Sequence, residues 1–204
     1  MIICGDACIN FYLDKRDDRL KERIAGIPIT FLIVHGNHEE RAWNVKGYKL
    51  KEHKIGADNY VYGYSEEKYP NIIFVQDFHI ETLNGKRFMF LGGAYSVDKF
   101  YRLAMNWYWF ESEQMSQEEM DETLTFLLSV NKFDYIISHT CPLKYTPTEA
   151  FLPGIDQSKV DRRTEEFLDK VEALISYLQW FCGHWHINKE TKKLKFLFND
   201  IVEV

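Results

Sequence analysis

The chain has 204 residues, of which 46% are hydrophobic and 27% charged, a composition typical of a globular protein with one sizeable core. The net charge of −6 argues against a strongly basic nucleic-acid-binding surface. No apolar run is long enough to cross a membrane. We therefore expect one domain over residues 1–204, without a repeat or a low-complexity linker.

The first half of the chain alternates apolar runs with polar segments. Met1 to Cys4 is typical of a short strand, Asp14 to Ile24 of an amphipathic helix, and Ile29 to Val34 of a buried strand. The stretch from Glu40 to Tyr69 is polar and irregular, so we expect a long loop or an insertion there. Three further strands are predicted, with Asn84-Gly85 as a tight turn before the last of them, over Ile72–Gln76, Phe78–Leu83 and Phe88–Leu91.

The second half continues the alternation of helices and strands. Ser116, with Glu119 three residues later, forms a capping-box pattern that predicts a helix to about Val130. A second amphipathic helix is expected over Arg163–Leu178. The remaining elements are a strand ending before His139, a proline-containing loop, a strand end and a strand-like tail, over Tyr135–Ile137, Pro142–Gly154, Trp180–Gly183 and Leu194–Val204. This order predicts an α/β layered fold.

Short polar motifs follow several of the apolar runs, where strand ends project side chains into loops. Mixed oxygen and nitrogen donors suit Mn, Fe, Zn or Ni better than Ca. Such metals polarise phosphoryl oxygens and activate water. The motifs are Gly5-Asp6, Gly36-Asn37-His38-Glu39, Ser138-His139 and Gly183-His184-Trp185-His186.

Taken singly, G-D and G-H-x-H are weak evidence, and G-N-H-E after a buried strand is stronger. The ordered set is strong evidence. Asp6 could instead cap a turn, Asn37 and His38 could be ordinary turn residues, and His139 could be a core histidine. His184 and His186 could lie on the surface. His35 is expected to pack in the core and His53 to lie in an exposed loop, while Asp77-Phe78-His79 is expected to be structural.

The order of these motifs resembles the calcineurin-like metallophosphoesterase family, whose pattern runs D-x-H, G-D, G-N-H-[DE], a lone His and G-H-x-H. The match extends from Gly5 to His186. The resemblance implies two mixed β-sheets packed face to face with flanking helices, an α/β/β/α sandwich with two metals at the strand ends. It implies a hydrolase that attacks phosphate esters with a metal-bound hydroxide, with Mn as the first candidate ion.

The resemblance also implies a role for each matched residue. Asp6 would bridge both metals. One metal shell would be completed by Asn37, His139 and His184, and His186 would belong to the other. His38 would contact the phosphate and protonate the leaving oxygen.

Two departures from the family pattern bear on activity. The D-x-H motif, with its opening strand, does not precede Asp6, so the chain is either truncated or a short form, and one metal shell is incomplete. Ile9 stands where many members carry an Asp that orients the motif histidine, and the neighbouring Asn10 is the candidate substitute. A second hypothesis is therefore a catalytically impaired relic that binds a metal or a partner. A sheet without its opening strand also predicts a homodimer or marginal stability.

The segment Gly92–Asp98 leaves a strand as a glycine-rich loop. Gly93 could admit the substrate phosphate, and Arg102 could pair with it. The competing interpretation is a simple strand exit with a solvated arginine. The aromatic run from Trp107 to Phe110 could stack on a base, or it could belong to the core or an interface.

The cysteines give an expectation about redox state. Cys4, Cys8, Cys141 and Cys182 form no C-x-x-C pair. We expect free thiols, mostly buried, in a reducing, cytoplasmic location.

Overall fold

The computed structural model describes residues 1–204 and arranges them in two β-sheets and four α-helices. The first sheet has the strand order β1-β2-β5-β4-β3. Its three strands nearest one edge, β1, β2 and β5, run parallel, whereas β3 and β4 form an antiparallel hairpin. The strands are β1 (Ile2–Ile3), β2 (Phe31–Ile33), β3 (Tyr48–Ile55), β4 (Asn59–Glu66) and β5 (Ile72–Val75).

The second sheet has six strands in the order β10-β11-β9-β8-β7-β6. The four central strands β7, β8, β9 and β11 are parallel, and the two outer strands are antiparallel to their neighbours. Because the central strands are parallel, their carboxyl ends share one edge of the sheet. The strands are β6 (Ile80–Leu83), β7 (Lys86–Leu91), β8 (Tyr135–Ser138), β9 (Gln179–Cys182), β10 (Lys189–Glu190) and β11 (Leu194–Phe196).

Four helices flank the sheets: α1 (Lys15–Ala25), α2 (Lys99–Ala104), α3 (Gln117–Leu127) and α4 (Arg163–Leu174). Two of them begin at residues whose side chains accept free backbone N–H groups. Asp14 caps α1, and Ser116 forms the predicted capping box with Glu119 at α3. None of the helices is long and apolar enough to span a membrane.

Buried apolar side chains form three clusters, one between the two sheets and one on the outer face of each sheet. One cluster lies between the sheets, with Leu32 and Ile73 from the first and Phe90 and Phe181 from the second. The opposite face of the first sheet packs against α1, and that of the second against α3 and α4. The fold is therefore the α/β/β/α sandwich of two mixed sheets that the resemblance implied.

The expected loop over Glu40–Tyr69 is wrong, because most of it forms the β3–β4 hairpin. Lysine and glutamate alternate with few apolar residues along β3, so the strand resembles a polar loop in sequence. His53 belongs to this hairpin and is buried, with Nε2 3.2 Å from the Gly63 carbonyl oxygen. It is not an exposed loop residue.

Several element ends also differ from the sequence prediction. The last helix ends at Leu174, because Ile175 is extended and Ser176 bridges to Lys132 beside the second sheet. In the tail, only Leu194–Phe196 is a strand, and the short helix α2 was not predicted. The four cysteines are unpaired thiols, and Cys8 is exposed. The reducing, cytoplasmic location of the protein stays a prediction.

Candidate metal centre

The motif residues come together because they follow strands that end at one side of the sandwich. Asp6 lies after β1, Asn37 after β2, His139 directly after β8 and His184 just after β9. The two sheets meet there, since His139 Nδ1 lies 2.7 Å from the Cys4 carbonyl oxygen. Four segments that are distant in sequence therefore contribute to one cluster.

The side-chain oxygen of Asn37 is at the middle of this cluster. It lies 2.8 Å from His139 Nε2 and 3.1 Å from His184 Nδ1. The amide nitrogen of Asn37 donates to Ser96 Oγ at 2.9 Å. Because Ser96 Oγ accepts the hydrogen bond from the amide nitrogen, the amide oxygen of Asn37 points at the two imidazoles.

His139 is buried with oxygens at both ring nitrogens. Nδ1 faces the Cys4 carbonyl, and Nε2 faces Asn37 Oδ1 and, at 3.5 Å, an Asp6 carboxylate oxygen. Burial lowers the pKa of His139, but the Asp6 carboxylate, the Cys4 carbonyl and Glu39 together outweigh it, and the net shift is upward. Likewise, burial opposes ionisation of Asp6, yet His139 holds the Asp6 pKa below its usual range. The cluster thus favours positive charge at its centre.

His184 differs from His139 in its charge state. Burial, with a smaller contribution from the neighbouring His139, lowers the pKa of His184 to about 3. The ring is therefore neutral near pH 7 and keeps a lone pair for a ligand. Neutral imidazole is the form in which histidine binds metals.

Residues in and beside this cluster adopt the left-handed backbone conformation. Asp6, His184 and His186 all have positive φ, at 51°, 64° and 51°. Non-glycine residues rarely adopt this region, and such strain is concentrated at functional sites. Two glycines are required by close approach, since a Cβ at Gly5 would lie 2.1 Å from His139 Nδ1 and one at Gly36 would lie 2.0 Å from Asp6 Oδ1.

The G-N-H-E turn is fixed from both ends. The backbone N–H of His38 donates to Asp6 Oδ1 at 3.0 Å, and that of Gly36 donates to the buried Glu39 carboxyl at 2.8 Å. Burial raises the pKa of Glu39 to about 8. Glu39 therefore closes the turn as a largely protonated acid near neutral pH.

The His38 ring contacts Arg102 rather than a carboxylate. One guanidinium nitrogen lies 2.6 Å from Nδ1 and 2.9 Å from Nε2, and Arg102 Nε donates to Asp98 at 2.8 Å. Arg102 is buried, so the interpretation of it as a solvated arginine is wrong. Asn10 does not orient His38, because its side-chain oxygen accepts from the Tyr48 hydroxyl at 3.2 Å.

Two candidate residues lie outside the cluster. His186 is exposed, and its ring stacks on Phe198 with centroids 5.0 Å apart. Gly93 donates its N–H to the His35 carbonyl at 2.8 Å and packs tightly against Arg41 and Glu113.

Two segments have the structural roles that the sequence predicted, namely His35 and Asp77-Phe78-His79. His35 is buried, accepts the Ala42 N–H at 3.0 Å and stacks on Phe74. Asp77 pairs with Arg41 at 2.6 Å, and His79 contacts Glu81.

Sequence reasoning did not identify Ser96 or assign a role to Glu39. Ser96 lies in the glycine-rich loop that the sequence did single out, but a serine in such a loop carries no signal of its own. Counting only His, Cys, Asp and Glu, no group of three converges into a metal site in this structure. Asp6, His139 and His184 therefore do not converge on one point by themselves, and the Asn37 side-chain oxygen is the atom that links the two imidazoles.

Comparison with known families defines the class. The sequence profile of the calcineurin-like phosphoesterases matches residues 1–188, which include every motif of the cluster. The chain belongs to this family, and its general function is that of a metal-dependent hydrolase of phosphate esters. No curated protein matches the chain.

Proposed function

We propose that this chain hydrolyses phosphate esters with one tightly bound divalent ion, Mn²⁺ being the first candidate. Asp6, Asn37, His139 and His184 would hold that ion. The observation that carries this proposal is the convergence of two imidazole nitrogens on the Asn37 side-chain oxygen, at 2.8 and 3.1 Å.

The chemistry of these donors fits a divalent cation. His139 Nε2 lies among oxygens that can only accept, so a positive charge is favoured there, whether from a proton or a metal ion. His184 supplies a neutral nitrogen and Asp6 a carboxylate. One amide oxygen, one carboxylate and two imidazoles form a mixed set suited to Mn, Fe or Zn.

A divalent ion held there would act as a Lewis acid on the phosphoryl group and lower the pKa of water. The chain's own residues would bind and orient the ester. Arg102 presents donors beside His38 and could bind two phosphate oxygens. Asp98, bonded to Arg102 Nε, would fix the plane of the guanidinium.

We propose that His38 moves a proton at the leaving oxygen. Burial lowers its pKa, Asp6 opposes that shift, and Arg102 adds to it. The ring is therefore mainly neutral near pH 7, and we propose that it takes up a proton when the phosphate neutralises Arg102.

His186 is exposed, so a second ion there would be held more weakly.

The test is turnover of an aryl phosphate monoester and the matching diester after loading with Mn²⁺ or Zn²⁺. Asn37→Ala and His38→Ala should each lower kcat/KM by at least about 100-fold, in the range of a lost proton-transfer or charge-stabilising group. His79→Ala removes a histidine outside the cluster and is the matched control. Turnover that is equal in all four proteins would overturn the proposal and leave a metal- or partner-binding relic.

A further inference from the structure

A group of aromatic rings, one half-buried and two exposed, adjoins His38. Phe11 follows the Asp6 loop, and Tyr108 follows α2, yet their ring centroids are 5.9 Å apart. Tyr12 contacts both, with centroids at 4.9 Å from Phe11 and 6.2 Å from Tyr108. We name Phe11, Tyr12 and Tyr108 the aromatic patch.

The patch begins at the proposed phosphate-binding groups. Phe11 stacks on His38 at an interplanar angle of 28°, with ring centroids 6.4 Å apart. The Arg102 guanidinium carbon lies 5.8 Å from the Phe11 centroid. A group attached to a phosphate bound by Arg102 and His38 would therefore extend over these rings.

The patch is not part of the hydrophobic core. Its three residues belong to none of the buried clusters. Tyr12 is 36% exposed and Tyr108 is 42% exposed. The Arg16 guanidinium carbon lies 3.7 Å from the Tyr12 ring centroid and covers one face of that ring. Tyr108 is therefore the ring of the patch that is more open to a ligand. Exposed aromatic surface next to a reactive site is a common feature of binding sites.

We propose that the aromatic patch is a leaving-group subsite that stacks on a flat aromatic ring of the substrate. The ligand class is a phosphate ester whose alcohol carries such a ring, of which nucleoside monophosphates are examples. This inference rests on the proposed function, since it places the phosphate at Arg102 and His38. It deepens that function by assigning the substrate class.

Two probes isolate the contribution of the ring. Adenosine 5′-monophosphate and ribose 5-phosphate carry the phosphate on the same kind of primary alkoxide, so they differ mainly in the base. Binding to the Mn²⁺-loaded protein is measured by calorimetry, and kcat/KM is measured for both. We expect the nucleotide to bind roughly tenfold tighter, as one base–aromatic stack would give.

Variants assign that preference to the patch. Tyr108→Leu should reduce the tenfold ratio to about twofold, and Tyr12→Leu should reduce it in the same direction. Tyr60→Leu is the matched control, because Tyr60 is 46% exposed on the remote β4 strand. Its ratio should equal that of the wild type.

The outcomes separate the two proposals. If neither ester is hydrolysed but the nucleotide binds better through Tyr108, the proposed hydrolysis fails and the subsite stands. If both esters are hydrolysed and bind equally, the subsite is overturned while the hydrolase stands. If Tyr108→Leu and Tyr12→Leu dissociate an oligomer without changing the ratio, the patch is an interface with a second copy and the subsite is again overturned.

Discussion

The two sides of the proposed metal centre are built in different ways. The inner side is formed by Asp6, Asn37, His139 and His184. The two imidazoles lie 2.8 and 3.1 Å from the Asn37 side-chain oxygen, and Asp6 lies 3.5 Å from His139. The outer side is His186, which follows the strand by several residues and stacks on Phe198 in solvent. Asn37 and His186 both lie four residues past a strand, so the two sides differ in burial and hydrogen bonding rather than in distance from a strand end.

The inner side also has supports that the outer side lacks. Ser96 orients the Asn37 amide, and the Cys4 carbonyl orients the His139 ring. Partners of this kind fix the rotamer and protonation of metal ligands. We therefore expect tight binding on the inner side and weak binding on the outer side.

The largest effect is expected from breaking the buried pair that supports the inner side. Asp77 pairs with Arg41 and accepts the Gly92 N–H at 3.0 Å, which holds the loop that carries Ser96. Asp77→Ala should lower the free energy of unfolding by about 3–5 kcal/mol, because it leaves the charge of a buried arginine without its carboxylate partner. Urea denaturation measures this loss.

The matched control is Glu67→Ala, which breaks an exposed pair with Lys49. That change should cost less than about 1 kcal/mol, because water screens the pair. Equal losses in the two variants would show that the buried pair does not support the loop.

The next effect is the loss of metal binding when the central donor is removed. Asn37→Ala should weaken Mn²⁺ binding by at least about 100-fold, more than is typical for a residue that only supports a ligand. Calorimetric titration of the metal-stripped protein measures it. Asn44→Ala removes an exposed asparagine that bonds to Glu40 and should leave the affinity unchanged. Full affinity in Asn37→Ala would remove Asn37 from the ligand set.

A smaller effect is expected at the residue that orients this donor. Ser96→Ala frees the Asn37 amide to rotate and should weaken Mn²⁺ binding by roughly 10- to 100-fold. Ser65 is also buried but its hydroxyl has no hydrogen-bond partner, so Ser65→Ala is the control and should not change metal affinity. If both variants bind Mn²⁺ like the wild type, the amide is oriented without Ser96.

The sequence indicated that the residues of the inner side would lie close together, because the signals for this are local. Each donor follows a β-branched or aromatic strand, so Asp6, Asn37 and His139 could be placed at strand ends without knowing the sheet order. The sandwich itself came from the resemblance to a family. The β3–β4 hairpin could not be recognised, because its alternation depends on cross-strand burial of Val61 and Ser65 beneath a charged exterior.

Contacts across long sequence separations were out of reach. Ser96 meets Asn37 across 59 residues, and Arg102 meets His38 across 64. Nothing in either short segment indicates its partner, since both pairings arise only when the two sheets pack. Ile9 showed in the sequence that His38 lacks the family's carboxylate partner. The contact between His38 and Arg102 could not be predicted.

The smallest effect is expected on the outer side. His186→Ala should change the affinity of the first Mn²⁺ by less than about threefold, because its ring is exposed and stacks on Phe198 away from Asn37. Calorimetric stoichiometry should show one tight ion per chain in both proteins. A loss as large as that of Asn37→Ala would mean that His186 turns inward when metal binds. Two tight ions in the wild type, reduced to one in His186→Ala, would mean that other residues replace the ligands of the D-x-H motif. The two sides would then bind metal equally well.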